Sequence, residues 1–420
     1  MKNSCIILLG CFDTKGEVFD YLRQCLLARG EPILTINTGV MATHPLFPVD
    51  IEADEVARQA GHALDTLRLK RDRGLAVDVM GRGAARILAT LVAEGRVKAV
   101  ISMGGGGGTY IALTAMQEVP LGTPKLCLST LAAKDLSRSM GHKDIVLMPS
   151  VVDVAGLNSF IRPLIAQAAA ALCAMATAET AIERSGTGRV AISMFGNTTG
   201  CVDACTELLK KAGYEVMAFH ANGVGGQTME ALIREGCFEA VLDVTTTELA
   251  DDLCGGVCSA GPDRLTAATD MGIPQVVVPG CMDMVNFAQP DTVPAHYRER
   301  ELYSWAPNVT LMRTNEAENR ELGKRLVQKL DGGRAPATVV LPLRGVSQVD
   351  AAGGVFFRPA TDQILFEAIR EYAPPEVEVL SADAHINDPA FAETLVTTLL
   401  QRLHAFKEAK PVSLPGQESI

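Results

Sequence analysis

Short apolar runs alternate along the whole chain with stretches whose apolar residues recur every three or four positions. Residues 4–10 are the first such run, the segment 11–16 (CFDTKG) is polar, and Val18, Phe19, Leu22, Cys25 and Leu26 then fall at helical spacing up to Gly30. This reads as strand, loop, helix and glycine stop. The same logic predicts strands at 32–37, 97–103, 125–128 and 145–148, and helices at 56–73, 81–94 and, Ala-rich, 161–180. After a polar joint at 183–189 the pattern restarts: strand 190–194, loop 195–200 (FGNTTG), and a helix carrying Val202, Cys205, Leu208 and Leu209 to Gly213. Further strands are expected at 216–219, 240–244, 275–278, 338–343 and 377–380, with helices at 315–330 and 391–407 and a Pro-rich passage through Trp305. CFDTKG and MFGNTTG each place a Thr two residues before the Gly that opens a helix, which reads as a weak duplication of one βα unit.

Strands and helices alternating at these lengths predict an α/β fold of two Rossmann-like domains, each a mostly parallel sheet with helices on both faces. The domains are expected at 1–185 and 186–410, with 411–420 a flexible tail. Composition agrees with large cores: 48% of residues are hydrophobic and 21% charged in a chain of 420. A net charge of −11 argues against general affinity for nucleic acid or anionic membrane, so an anionic ligand needs local donors. No run reaches the 18 or so apolar residues that cross a bilayer, and the first apolar run is too short for a signal peptide, so a cytoplasmic protein is expected. Eleven scattered cysteines read as reduced thiols; the CxxxC pairs Cys201/Cys205 and Cys254/Cys258 lack a His partner, and whether a metal is held is left open.

Chemistry is placed by the rule that ligands of open parallel sheets sit beyond the carboxyl ends of the strands. The most demanding stretch is VISMGGGGGTY, in which Gly104, Gly105, Gly106, Gly107 and Gly108 link a strand to a helix start, a geometry suited to phosphate. Asp13, Thr14, Lys15, Ser129, Thr130 and Asp153 gather at the same edge, Thr109 is expected to offer its N–H and hydroxyl, and Asp13 or Asp153 can hold Mg²⁺. The expected ligand is a nucleotide carrying phosphates, with Mg²⁺. In the second half the candidate catalytic residues are His220, Glu248, Cys281, Asp283, Arg344, Asp383 and His385, since His and carboxylate at strand ends serve acid–base or metal-assisted chemistry. Glu248 also fits a capping box with Thr245. Three readings stay open: a nucleotide-using enzyme on a small polar or acidic metabolite, a nucleotide sensor without turnover, and a hydrolase or lyase using His220 and His385.

Taken in order, CFDTKG, SMGGGGGTY and SVVDVAGLNSF, then FHANGVGGQTMEALI, DVTTTEL, GIPQVVVPGCMDMVNF, LMRTNEAE, LPLRGVSQVD and DAHINDPAFA, resemble a family of bacterial, fungal and plant proteins. That family includes the N-terminal ATP-binding inhibitory domain of the tomato mosaic virus resistance protein. The resemblance implies two Rossmann-like domains, a homodimer, and ATP contacted by Asp13, Thr14 and Lys15, by Gly104 through Thr109, and by Asp153 and Gly156. One departure is Lys134, which stands where relatives carry glycine in the loop after Ser129 and where positive φ is expected.

Overall fold

The computed structural model describes residues 4–41, 46–178 and 188–409. The chain divides into two compact units, Met1–Ile182 and Glu183–Ile420. Most of the expected joint 183–189 and the expected tail 411–420 lie outside the described residues.

In the first unit the strands β1 (Cys5–Gly10), β2 (Ile33–Asn37), β3 (Val97–Gly104), β4 (Lys125–Ser129) and β5 (Ile145–Pro149) form one sheet. All pairs are parallel and the order is β2-β1-β3-β4-β5. β1 is fully buried because both faces of the sheet are covered. Ile7 and Leu9 enter one core with helices Arg73–Ala93 and Gly106–Met116, whereas Ile6 and Leu8 enter the other with helices Phe12–Leu27 and Ile161–Thr177. The helix after β1 and the helix after β3 therefore leave toward opposite faces, and the order reverses between those two strands. That leaves a crevice at their carboxyl ends.

Two expected helices are redrawn. The stretch 56–73 is broken into Ala53–Gln59 and Leu64–Lys70, with Gly61 and Arg71 at φ +82° and +52°, and a long helix, Arg73–Ala93, begins where the expected one ended. Asp72 caps that helix by accepting from the Leu75 amide at 3.0 Å. Gly81, read as a helix start, is interior to it. Gly83 is a packing contact: a β-carbon there would stand 1.9 Å from the Val56 carbonyl oxygen.

The second unit carries β6 (Arg189–Met194), β7 (Glu215–His220), β8 (Ala240–Thr245), β9 (Gln275–Gly280), β10 (Met284–Phe287), β11 (Leu302–Ala306), β12 (Val309–Arg313), β13 (Ala337–Pro342) and β14 (Val377–Ala382). Six form a parallel sheet ordered β14-β13-β9-β8-β6-β7, so its first five strands in chain order repeat the connectivity of the first unit. On either side of the expected Pro-rich passage and at its end, β10, β12 and β11 pair antiparallel into a small separate sheet. Both large sheets are flanked by helices on two faces, which makes the protein α/β with two Rossmann-like domains.

Candidate functional site

The first-unit crevice is an open cleft of about 1060 Å³, at the upper limit of small-molecule sites. Its floor is the glycine loop. The first helical bond runs from the Thr109 amide to the Gly105 carbonyl at 2.8 Å, and the amides of Gly106, Gly107 and Gly108 have no protein acceptor among the described residues. Three free N–H groups at the start of an eleven-residue helix form an anion cradle. Glycine is demanded at particular places: a β-carbon on Gly104 would meet the Gly108 Cα at 3.0 Å, and one on Gly107 would meet Val77 Cγ2 at 3.2 Å. At Gly106 nothing lies within 4 Å, so that position faces the open cleft.

Thr109 and Ser129 serve the cradle from beneath. Both are buried, their hydroxyls are 2.6 Å apart, and Ser129 Oγ accepts from the Leu131 amide at 2.9 Å. The expectation that Thr109 offers its N–H and hydroxyl to ligand is corrected, because helix and Ser129 use both. Thr130 reaches the rim, with its Oγ1 3.7 Å from the β-carbon position of Gly105. Asp13 is a fastener: its oxygens take the Thr14 amide at 2.6 Å and the Met41 amide at 2.9 Å. Gly39 leaves it room, since a β-carbon there would overlap the Asp13 carboxylate. Lys15 donates to the Val154 carbonyl, which ties the first loop to the segment holding Asp153. Asp153 is exposed on the cleft and makes no hydrogen bond or ion pair among the described residues, whereas Gly156 does not line it. Among the described residues, the Asp153 carboxylate and the hydroxyls of Thr14 and Thr130 are oxygen groups of the cleft lining without a hydrogen-bond partner, the donor type that Mg²⁺ takes. Lys134 stays outside the left-handed region, so its side chain strains nothing.

Sequence reasoning missed the opposite wall. Arg68, Arg71, Asp72 and Arg73 line the cleft with the apolar Leu67, Ala76, Val77 and Met80. Arg68 Nε holds the Val40 carbonyl at 2.7 Å, while Arg71 and Arg73 are exposed and unpaired among the described residues. A charged run within an expected helix hid this wall. The available signal was Asp72 followed by Gly74, a cap and a breaker inside that run.

In the second unit the corresponding crevice, between the loops after β6 and β8, is filled by the chain itself. Met284 Sδ lies 3.8 Å from Asn197 Nδ2, and Asn286 Nδ2 donates to Thr247 Oγ1 at 3.2 Å. Every residue from Cys281 to Phe287 is buried. The seven candidate catalytic residues are consequently dispersed in role. Glu248 is buried and accepts from the Gly223 and Gly226 amides at 2.7 and 3.1 Å, and from Arg264. Arg264 is itself buried, doubly bonded to Asp243 and paired with Glu230. Cys281 is wholly buried, and burial followed by Asp283 and Asp350 pushes its thiol well up, which removes the thiolate a nucleophile needs. Asp283 bonds Ser347 Oγ at 2.7 Å and is pushed up to about 6, chiefly by burial.

His385 has both ring nitrogens engaged: Nδ1 accepts from the Asn387 amide at 3.1 Å, leaving Nε2 to donate to the Ser347 carbonyl at 2.9 Å. That makes the imidazole a structural tie between two loops. Cys281, Asp283, Ser347 and His385 are brought to neighbouring loops, and Glu248 is not among them. His220 is exposed at the edge strand, stacked on Phe195 at 5.3 Å. Arg344 and Asp383 form an exposed bidentate pair with two contacts of 2.7 Å. Among the described residues, no group of three or more His, Cys, Asp or Glu is placed to hold a metal, and no helix is long and apolar enough to cross a membrane.

Comparison with known proteins adds a lineage. Residues 4–181 match the N-terminal domain, and residues 187–403 the C-terminal domain, of the Uncharacterised protein family (UPF0261). A UPF0261 protein of Clostridium tetani is 41% identical over 402 residues, covering 96% of this chain and 99% of that one. Another, of Rhizobium meliloti, is 42% identical over 393 residues, covering 93% and 97%. The tomato ToMV resistance protein Tm-1(GCR237) is 37% identical over 336 residues, 78% of this chain but only 45% of the tomato protein. The tomato ToMV susceptible protein matches at the same identity. With both domain matches in order and full-length relatives above 40%, the chain belongs to the UPF0261 family.

Proposed function

We propose that the protein binds ATP, with Mg²⁺, in the first-unit cleft. The observation that carries this reading is the set of three amides at Gly106–Gly108, unpaired among the described residues, at a helix start and at the point where the strand order reverses. Supporting it are an apolar side built from Val40, Leu67, Val77 and Met80 for a nucleobase, and basic groups on the same wall. Asp153, Thr14 and Thr130 would hold the cation, which would shield the phosphate charge.

Titration calorimetry with ATP and Mg²⁺ tests the reading against Gly106→Asp, a change that meets no atom within 4 Å but sets a carboxylate in the cradle. Saturable heat from the native protein and loss of at least about tenfold in affinity from the variant are expected. Equal heats from both, or none from either, overturn it.

As to consequence, an enzyme converting a small polar or acidic metabolite and a non-hydrolysing sensor that dimerises with ATP are both compatible with such a site. The engaged imidazole of His385, the protonated thiol of Cys281 and the paired Glu248 favour the sensor. Sedimentation with and without ATP, beside a phosphate-release assay, separates the two. The sensor predicts an ATP-dependent homodimer with no release.

A further inference from the structure

Resting on the ATP reading of the cleft, we propose that Arg71 and Arg73 read the length of the ligand's phosphate chain. The ligand class then narrows to nucleoside di- and triphosphates, with monophosphates bound weakly. Arg71 opens the two-residue link between helices Leu64–Lys70 and Arg73–Ala93, and Arg73 follows it. The link has little freedom: Arg71 sits at φ +52° and ψ +23°, and Asp72 is extended and caps the next helix through the Leu75 amide. A left-handed backbone at the end of a helix is ordinarily a place for glycine. Here it carries a long cation that lines the cleft.

Arg73 stands beside the cradle. Its Nη2 is 3.8 Å from where a β-carbon of Gly107 would be, so its guanidinium lies within one phosphate's breadth of the free amides. The other cations of the cleft are engaged, Lys15 with the Val154 carbonyl and Arg68 with the Val40 carbonyl and Asp65, whereas Arg71 and Arg73 hold no partner among the described residues. Three amides satisfy one phosphate. A phosphate next along the chain meets the guanidinium of Arg73, whose planar fork takes two oxygens at once, and Arg71 at the rim meets the one after. A monophosphate satisfied by the three amides has no further phosphate to offer either arginine.

Calorimetry at fixed Mg²⁺ with ATP, ADP, AMP and pyrophosphate tests this on the native protein, Arg73→Gln and Arg71→Gly. The last variant relieves the left-handed strain, so an equal or higher melting temperature certifies its fold. Expected are ATP and ADP at least about tenfold tighter than AMP in the native protein, and that preference reduced to within about threefold in Arg73→Gln with AMP affinity little changed. Measurable pyrophosphate binding that Arg73→Gln abolishes marks the chain itself as the ligand feature. If the native protein binds AMP as tightly as ATP, or both variants keep the native preference, the inference is overturned while the ATP reading stands. If the native protein binds no nucleotide, the ATP reading falls, and this inference with it.

Discussion

At the scale of single residues, two glycines in one domain separate packing from function. Gly106 faces open space, so Gly106→Asp is expected to shift the melting temperature by only a few degrees while removing nucleotide binding. Gly83 abuts the Val56 carbonyl, so Gly83→Ala is expected to cost about 1–3 kcal/mol in urea unfolding and leave the affinity of the remaining folded protein unchanged. Buried carboxylates set a pH dependence of their own. Burial, with Asp283 and Asp362 adding to it, pushes Asp350 up to about 9, and Asp251 is pushed up to about 7 by burial. Free carboxyls titrate near 4, so the folded state holds these protons more tightly than the unfolded chain. That contribution is full below about pH 4 and is lost as pH rises through the folded values. The second unit is therefore expected to melt lower at pH 9.5 than at pH 6. Asp350→Asn, whose amide oxygen can still accept from the Val346 amide as Asp350 does at 2.9 Å, is expected to recover at least about 3 °C at the alkaline end. Parallel melting curves for the two proteins across that range contradict it.

Elements show how far sequence reaches. Strands such as β1 and β3 were legible because a buried parallel strand is a continuous apolar run. The glycine loop was legible because five glycines in succession carry an entropic cost that is tolerated only where backbone must turn sharply or approach another group closely. The break at Arg71–Asp72 was missed, since an arginine at positive φ leaves no mark in composition and the Asp72 and Gly74 signal is buried in a charged run. The segment Cys281–Phe287 was harder still. Polar residues after a strand look alike whether they face solvent or plug a crevice, and only the partners of Met284 and Asn286 reveal the plug. Asp283 and Cys281 are buried for that reason, and His385 is held by the neighbouring Ser347 loop. Met284→Ala should therefore cost about 2–5 kcal/mol, as for other buried large-to-small changes, read from urea midpoints. A cost below about 1 kcal/mol means that the segment does not fill the crevice.

Over the whole molecule, the same strand connectivity appears twice with opposite outcomes: an open, basic-rimmed cleft in the first unit and a self-filled crevice in the second. The negative charge of the chain, −11, makes Arg71 and Arg73, unpaired among the described residues, a local exception, which is what an anion site on an acidic protein requires. The most direct measurement is amide hydrogen exchange on the full chain with and without ATP and Mg²⁺. Nucleotide in the first-unit cleft predicts slowed exchange in peptides covering residues 11–16, 38–41, 71–77 and 105–109, and unchanged exchange in those covering 281–287 of the buried plug. Protection that falls at the second-unit strand ends and spares the glycine loop contradicts it.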